Sequence, residues 1–363
     1  MTTPNRPPIR LMVVDDSAYN RRNIADVFAG NPEVEVVGKA ADGEEALRLA
    51  SLLKPDVITL DLEMPRMDGF TFLRILMMKQ PTPVIVVSSY SQKENVFKAL
   101  ELGALDFVTK PDRQISPDAT ELREQILQKV LLVRSLRPTF TPPITRRNVS
   151  GAWTADGKPQ PMDGTGTAAG AYVAPKHVVC IASSTGGPSA LLEIFGKLPA
   201  TTAGAFLVAQ HMPDKFTRTF AERLDKRGPV RTSEAQDADQ VARMTGFVCP
   251  GRQCMELVNM GQELRLRVAP AAPNDRYVPS ADRLLRTAAA AAGSKCIGVI
   301  LTGMGDDGVE GARAILDAGG MIVAESQETA VVYGMPGAVV RAGLAAKVMP
   351  LPQIAEFLAQ LPS

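Results

Sequence analysis

The chain of 363 residues is poor in histidine, cysteine and aromatic residues, and it has no large excess of charge of either sign. It contains two histidines, four cysteines and one tryptophan. Its 40 basic residues balance 39 acidic ones, so the sequence lacks the electrostatic footprint of proteins that bind nucleic acids or anionic membranes. We therefore predict no nucleic-acid partner.

The sequence also lacks an apolar run of the roughly 20 residues that a membrane-spanning helix needs. Its first ten residues, MTTPNRPPIR, have no apolar core of a signal peptide. We therefore expect a cytoplasmic protein without membrane insertion. No two cysteines form a Cys-x-x-Cys pair, and Cys180 and Cys296 lie in apolar runs, which favours small buried hydrophobic residues over zinc ligands.

The length indicates two domains, because a single core rarely grows beyond roughly 250 residues. Residues 1–137 alternate amphipathic segments with five apolar runs, at 9–14, 34–40, 56–60, 83–89 and 105–109. Residues 138–175 are rich in Pro, Gly, Thr and Ala and are predicted to be a flexible linker. Over residues 176–363 the alternation resumes, with strands predicted at 177–182, 205–210, 296–301 and 321–324 and short antiparallel strands within 245–268. The predicted fold class is α/β, with two doubly wound parallel-sheet domains.

Acidic residues follow two strands of the first domain. Asp15 and Asp16 follow the first strand, Asp61 follows the third, and the carboxyl ends of parallel strands meet at one edge of a sheet. Three converging carboxylates favour Mg²⁺, which prefers oxygen ligands. Ser88 and Lys110 follow two further strands, and this set of groups suits phosphoryl transfer. A solvated acidic cluster is the alternative, but the convergence of five groups favours a functional site.

The motifs VVDDS (13–17), LDLEMPRMDG (60–69), VSS (87–89) and FVTKP (107–111) resemble those of two-component receiver domains. The resemblance covers residues 9–130 and implies a flavodoxin-like fold and phosphorylation by a chemotaxis histidine kinase. It implies that Asp61 is phosphorylated and that Ser88, Lys110 and Phe107 act as switch residues. It also implies that Mg²⁺ is bound directly by Asp16, Asp61 and the Glu63 backbone carbonyl, and through water by Asp15.

A hydroxyl, an imidazole and a carboxylate follow three strands of the second domain. SSTGG (183–187), His211 and TGMGDDG (302–308) occupy these positions, whereas His177 begins a strand and lies at the opposite edge. Such a set is the inventory for nucleophilic acyl transfer. Gly186 and Gly187 would allow a tight turn whose backbone N–H groups face an oxyanion, and each such donor is worth roughly 3–4 kcal/mol in the transition state.

The residues alone leave other interpretations open for this turn. It could cap a helix or hold a phosphate group. Neither a P-loop lysine nor a Gly-x-Gly-x-x-Gly motif is present, yet hydrolase and phosphate cradle remain about equally supported at this point. The order Ser, His, Asp also differs from the order in α/β-hydrolases.

Five further motifs resemble the catalytic domain of the CheB-type protein-glutamate methylesterases of chemotaxis: IASSTGGP (181–188), AQHMPDKFTRTFAERLD (209–225), PSADRLL (279–285), LTGMGDDG (301–308) and VVYGMPGA (331–338). The resemblance covers residues 177–359 and implies a Rossmann-like methylesterase domain. It implies hydrolysis of glutamate γ-methyl esters on methyl-accepting chemoreceptors and, in many members, deamidation of receptor glutamines. It implies no cofactor for the esterase reaction, and we expect a monomer.

The triad that the resemblance implies is Ser184, His211 and Asp307, with an oxyanion hole at the backbone N–H groups of Thr185 and Met304. We expect the three triad side chains to meet in hydrogen-bond contact. The sequence departs from the family pattern in three ways. Ser183 stands where the family usually has alanine, and Asp306 is a second carboxylate beside Asp307. Cys254 and Tyr277 occupy positions where we would expect histidines. The alternative function is a non-catalytic response regulator whose second domain binds a partner; a DNA-binding output lacks any recognition-helix pattern.

Overall fold

The computed structural model of the chain describes residues 7–89, 92–110, 119–136 and 172–362. Most of the predicted linker, residues 138–171, lies outside these described residues, as do the first six residues and the last. The final residues of the predicted linker contact the second domain. The Tyr172 hydroxyl accepts a hydrogen bond from the Leu264 backbone N–H (3.2 Å), and the Val173 carbonyl accepts one from the Arg243 backbone N–H (2.9 Å).

The first domain has five parallel strands in the order β2-β1-β3-β4-β5, which is the flavodoxin-like order. The strands are β1 (Ile9–Val14), β2 (Val34–Ala40), β3 (Val57–Leu60), β4 (Val84–Ser88) and β5 (Asp106–Thr109). The helices are α1 (Ala18–Asp26), α2 (Gly43–Leu53), α3 (Gly69–Lys79), α4 (Lys93–Glu101) and α5 (Ala119–Leu131), the last followed by a 3₁₀ turn (Leu132–Ser135). The central strands are continuous apolar runs because helices cover both faces of the sheet.

The second domain has seven strands, all parallel, in the order β14-β13-β12-β6-β7-β9-β8. They are β6 (His177–Ser183), β7 (Gly204–Gln210), β8 (Arg231–Glu234), β9 (Thr245–Val248), β12 (Cys296–Ile300), β13 (Met321–Glu325) and β14 (Lys347–Met349). A separate antiparallel hairpin pairs β10 (Gln253–Asn259) with β11 (Leu264–Pro270). The helices are α6 (Gly187–Lys197), α7 (Asp214–Asp225), α8 (Ala281–Ala292), α9 (Val309–Asp317), α10 (Met335–Arg341) and α11 (Leu351–Ala359).

The predicted fold class is confirmed, because both domains are α/β with a parallel sheet. The prediction of antiparallel strands throughout 245–268 is wrong at β9, which pairs parallel with β7 and β8. A four-residue strand carries no sequence signal for the direction of its partner, which the long-range pairing decides. No helix in the described segments is long and apolar enough to cross a membrane.

The two domains touch through α4 of the first and α7 of the second. The rings of Phe97 and Phe220 stack with centroids 5.5 Å apart, and the Phe107 and Phe216 centroids lie 4.7 Å apart. The Arg223 guanidinium donates to Glu94 and Glu101 of the first domain, both at 3.0 Å. The contact therefore combines an aromatic cluster with ion pairs at its margin.

Candidate phosphoacceptor site and candidate active site

Three carboxylates meet at the carboxyl edge of the first sheet. Ligand atoms of Asp15, Asp16 and Asp61 all lie within 4.8 Å of one another. The Lys110 ammonium donates to Asp15 Oδ2 (2.8 Å) and to Asp61 Oδ2 (2.5 Å). Burial raises the pKa of Asp61, an effect that Lys110 opposes. Although burial would lower the pKa of Lys110, the two carboxylates raise it above its ordinary value.

The donor set at this edge fits a divalent cation. Three carboxylates face one ammonium, so the pocket keeps an excess of negative charge. Burial of this charge raises the pKa of Asp61. Oxygen atoms alone make up the donors, which suits Mg²⁺. The backbone N–H of Glu63 lies 3.5 Å from Asp61 Oδ1, so the Glu63 backbone lies next to the pocket.

Two of the predicted switch residues, Ser88 and Phe107, contact groups outside the acidic cluster. Ser88 is fully buried, and its hydroxyl donates to the Gln92 side chain (2.7 Å) directly before α4. Phe107 packs against Phe216 of the second domain. Phe107 is therefore part of the domain contact, and Ser88 contacts the residue that precedes α4.

The imidazole and carboxylate of the predicted triad are in contact. His211 Nε2 lies 2.8 Å from Asp307 Oδ2. The backbone N–H groups of Ala281 and Asp282, at the first turn of α8, donate to the same carboxylate at 2.8 and 2.9 Å. Asp307 is buried, whereas its neighbour Asp306 is exposed and accepts hydrogen bonds from Arg276 and Tyr277. The geometry supports Asp307 as the partner of the imidazole.

Ser184 follows β6 and lies under the loop that follows β12. Its backbone N–H donates to the Thr302 carbonyl (3.0 Å), and a Cβ on Gly303 would lie 2.8 Å from the Ser184 Cβ. Within the described part of the chain, the Ser184 hydroxyl makes no hydrogen bond to His211, contrary to our expectation. Hydrogen bonds of this kind often tighten only in the substrate complex, and the role of Ser184 stays a prediction.

A glutamine that the sequence analysis missed joins the two backbones. The Gln210 amide donates to the carbonyls of Ser184 (2.9 Å) and His211 (3.0 Å), and its oxygen accepts from the Ser183 hydroxyl (2.6 Å). Ser183 thus has a buried structural partner, which explains the adjacent pair of hydroxyls. The one available signal was the position of Gln210 directly before the histidine.

The predicted oxyanion hole consists of the backbone N–H groups of Thr185, next to Ser184, and of Met304, in the loop after β12. In the portion of the chain that is described, the N–H groups of Thr185 and Met304 have no protein acceptor. Gly186 adopts a φ of +81°, which side-chain-bearing residues rarely adopt, and this turn leads directly into α6. The Thr185 hydroxyl donates to Asp106 of the first domain (2.6 Å), so the receiver-like domain contacts the turn next to Ser184.

A surface cavity of about 560 Å³ adjoins the imidazole–carboxylate pair. Tyr277, Asp306 and Asp307 form part of its wall, together with four arginines, Arg276, Arg283, Arg286 and Arg341. Its position beside Asp307 makes it a candidate substrate groove.

The other departure from the family pattern, Cys254, is buried with its sulfur 3.6 Å from Asp275, and all four cysteines are free and buried.

Comparison with known proteins gives a match for each domain. A family model described as response regulator receiver domain matches residues 11–118, and one described as CheB methylesterase matches residues 179–358. The crystal structure of the Thermotoga maritima CheB methylesterase catalytic domain is 37% identical, with a TM-score of 0.50, and covers 51% of this chain and 98% of that one.

Two relatives align along nearly the whole chain. The protein-glutamate methylesterase/protein-glutamine glutaminase 1 of Myxococcus xanthus is 45% identical over 353 residues, and number 3 of Geobacter sulfurreducens is 45% identical over 362. Each alignment covers 97% of both chains, and both names denote hydrolases. The chain therefore belongs to the CheB family of protein-glutamate methylesterase/protein-glutamine glutaminases, with a receiver domain before the catalytic domain.

Proposed function

We propose that this protein is a phosphorylation-activated protein-glutamate methylesterase that hydrolyses glutamate γ-methyl esters on chemoreceptors and deamidates receptor glutamines. The observation that carries the proposal is the 2.8 Å contact between His211 and the buried Asp307, at the sheet edge that also bears Ser184. The domain division supports it: residues 1–137 receive the signal, residues 138–175 link the domains, and residues 176–363 catalyse.

The proposed reaction is acyl transfer to Ser184. Because His211 Nε2 contacts Asp307, Nδ1 is the nitrogen that takes the proton from the Ser184 hydroxyl as it attacks the γ-carbonyl carbon. The N–H groups of Thr185 and Met304 stabilise the oxyanion. His211 then protonates the departing methanol, or ammonia in deamidation, and finally activates the water that hydrolyses the acyl-enzyme.

The proposed control begins at Asp61, which accepts a phosphoryl group from a chemotaxis histidine kinase. Mg²⁺, when bound, neutralises charge on the transferred group, and Asp16, Asp61, the Glu63 carbonyl and, through water, Asp15 would hold it. Ser88, Lys110 and Phe107 respond to the phosphoryl group, which weakens the contact between α4 and α7. The domains then separate and substrate reaches the turn at Ser184.

The nucleophile can be tested with the two adjacent serines. We expect Ser184→Ala to abolish methanol release from a methylated receptor fragment, whereas Ser183→Ala keeps most of it because the Ser183 hydroxyl donates to the Gln210 side chain. Labelling by a fluorophosphonate probe should follow the same pattern. Loss of labelling in Ser183→Ala but not in Ser184→Ala would contradict the assignment. A wild-type chain that neither labels nor releases methanol would favour a regulator whose second domain only binds a partner.

A further inference from the structure

We propose that Tyr277 is a positioning residue for the catalytic imidazole: it holds the His211 ring in a fixed orientation. The proposal rests on the function proposed above. Tyr277 occupies a position where the family resemblance led us to expect a histidine. The structure gives this tyrosine a specific set of contacts that a filler side chain would not need.

The Tyr277 ring lies parallel to the His211 ring. Their centroids are 5.4 Å apart and their planes differ by 8°. A second constraint on the imidazole is the hydrogen bond between its Nε2 and Asp307. The ring stacked on one face and the carboxylate at one edge together restrict rotation of the imidazole about its side-chain torsions. Nδ1 therefore keeps a single direction.

The Tyr277 ring is itself fixed by the loop that follows β12. Its phenol donates to Asp306 Oδ1 (2.9 Å), and burial and the Asp306 carboxylate raise the pKa of Tyr277, so the phenol remains a donor. The Arg276 guanidinium binds the same carboxylate (3.1 Å) and lies 5.1 Å from the Tyr277 ring centroid. A Cβ on Gly305 would lie 2.5 Å from the phenol oxygen, so this glycine makes room for it. Tyr277 thereby connects the His211 ring to the loop that carries Met304 and Asp307.

The stack also bears on the charge of the imidazole. An aromatic face attracts a cation, so Tyr277 favours the imidazolium that forms when Ser184 loses its proton. In the described chain, Asp307 and Tyr277 contact the His211 ring. Asp306 and Arg276 lie beyond Tyr277, and Asp282 lies beyond Asp307. Asp307 acts in the same direction as the stack, and removing the aromatic face isolates the contribution of Tyr277.

The test uses two variants of the full chain that remove different parts of the tyrosine. Tyr277→Leu keeps apolar bulk and removes the aromatic face, whereas Tyr277→Phe keeps the face and removes the phenol. In NMR spectra, the His211 ring protons should lose the ring-current shift of the stacked aromatic ring in Tyr277→Leu and keep it in Tyr277→Phe. His177, the other histidine, serves as an internal control because it begins β6 at the opposite edge of the sheet.

Methanol release supplies the second readout. Tyr277→Phe and Asp306→Ala should each lower kcat by about fivefold with little change in KM, and the double variant should be no slower than either single one, since both break the same hydrogen bond. His211 ring signals that are unchanged in Tyr277→Leu, or additive effects of the phenol and Asp306 changes, would overturn the proposal. The NMR comparison needs no enzymatic activity, so an inactive wild-type chain would contradict the proposed function and leave this test readable.

Discussion

At the scale of single residues, two adjacent carboxylates after β12 have different surroundings. Asp307 is buried, accepts two N–H groups from the start of α8 and contacts His211, whereas Asp306 is exposed and contacts Arg276 and Tyr277. The first arrangement suits a carboxylate that orients an imidazole and stabilises its protonated form, as proposed above. The second supports the ring that stacks on that imidazole.

This difference predicts unequal effects of two conservative changes. Asp307→Asn should lower kcat for methanol release by about a thousandfold or more, because a neutral amide cannot stabilise the imidazolium. Asp306→Asn, the matched control, should stay within about tenfold of wild type because it loses only charge at an exposed ion pair. Equal losses in the two variants, measured in steady-state kinetics, would mean that the carboxylate roles have been assigned wrongly.

At the scale of secondary-structure elements, α4 and α7 form the contact between the domains. The Ser88 hydroxyl bonds to Gln92 immediately before α4, so a rearrangement of Ser88 can reach this helix directly. Arg223 on α7 holds Glu94 and Glu101 of α4 from the other side. The contact should therefore depend on charge as well as on the phenylalanine cluster.

Loss of these ion pairs should favour the separated domains. We expect Arg223→Ala to raise methanol release without a phosphodonor by about tenfold, since charge-assisted hydrogen bonds at a partly buried site are lost. Arg218→Ala is the control on the same helix, because Arg218 pairs with Glu222 within α7. If both variants keep the basal rate of the wild type, the α4–α7 contact does not restrain the enzyme.

At the scale of the whole molecule, an acidic pocket and a hydrolase site lie at the carboxyl edges of two separate sheets. The path from one to the other runs through β5, which carries Phe107 against Phe216 and Asp106 against the Thr185 hydroxyl. Asp106 also pairs with Lys129 of α5. Movement of this strand end would therefore displace its contacts with the turn that bears Ser184.

Removal of the phosphoacceptor should uncouple the two sites. Asp61→Asn should keep the basal rate of methanol release but abolish its stimulation by kinase or by a small-molecule phosphodonor with Mg²⁺. The reason is that the amide cannot accept the phosphoryl group, whereas the esterase site is untouched. The measurement is the ratio of rates with and without phosphodonor; stimulation as large as in the wild type would place the phosphoacceptor elsewhere.

Much of the fold and of the candidate site was predictable because the informative signals are local. Each strand of the first sheet is a short apolar run, and its polar successor must lie at the carboxyl edge whatever the strand order is. The same logic placed Ser184, His211 and Asp307 at one edge of the second sheet. The parallel direction of β9 escaped prediction because four residues do not encode the direction of their partner.

The sequence by itself determined which chemical groups follow which strands, and hence at which sheet edges the two candidate sites lie. Only the tertiary structure decided how those groups pair: the first turn of α8 selects Asp307, Gln210 joins the backbones of Ser184 and His211, and Tyr277 stacks on the imidazole. It also decided that α4 and β5 face the esterase domain. The physical reason is that hydrogen bonds and ring contacts between residues far apart in the chain depend on packing, which no local pattern of residues records.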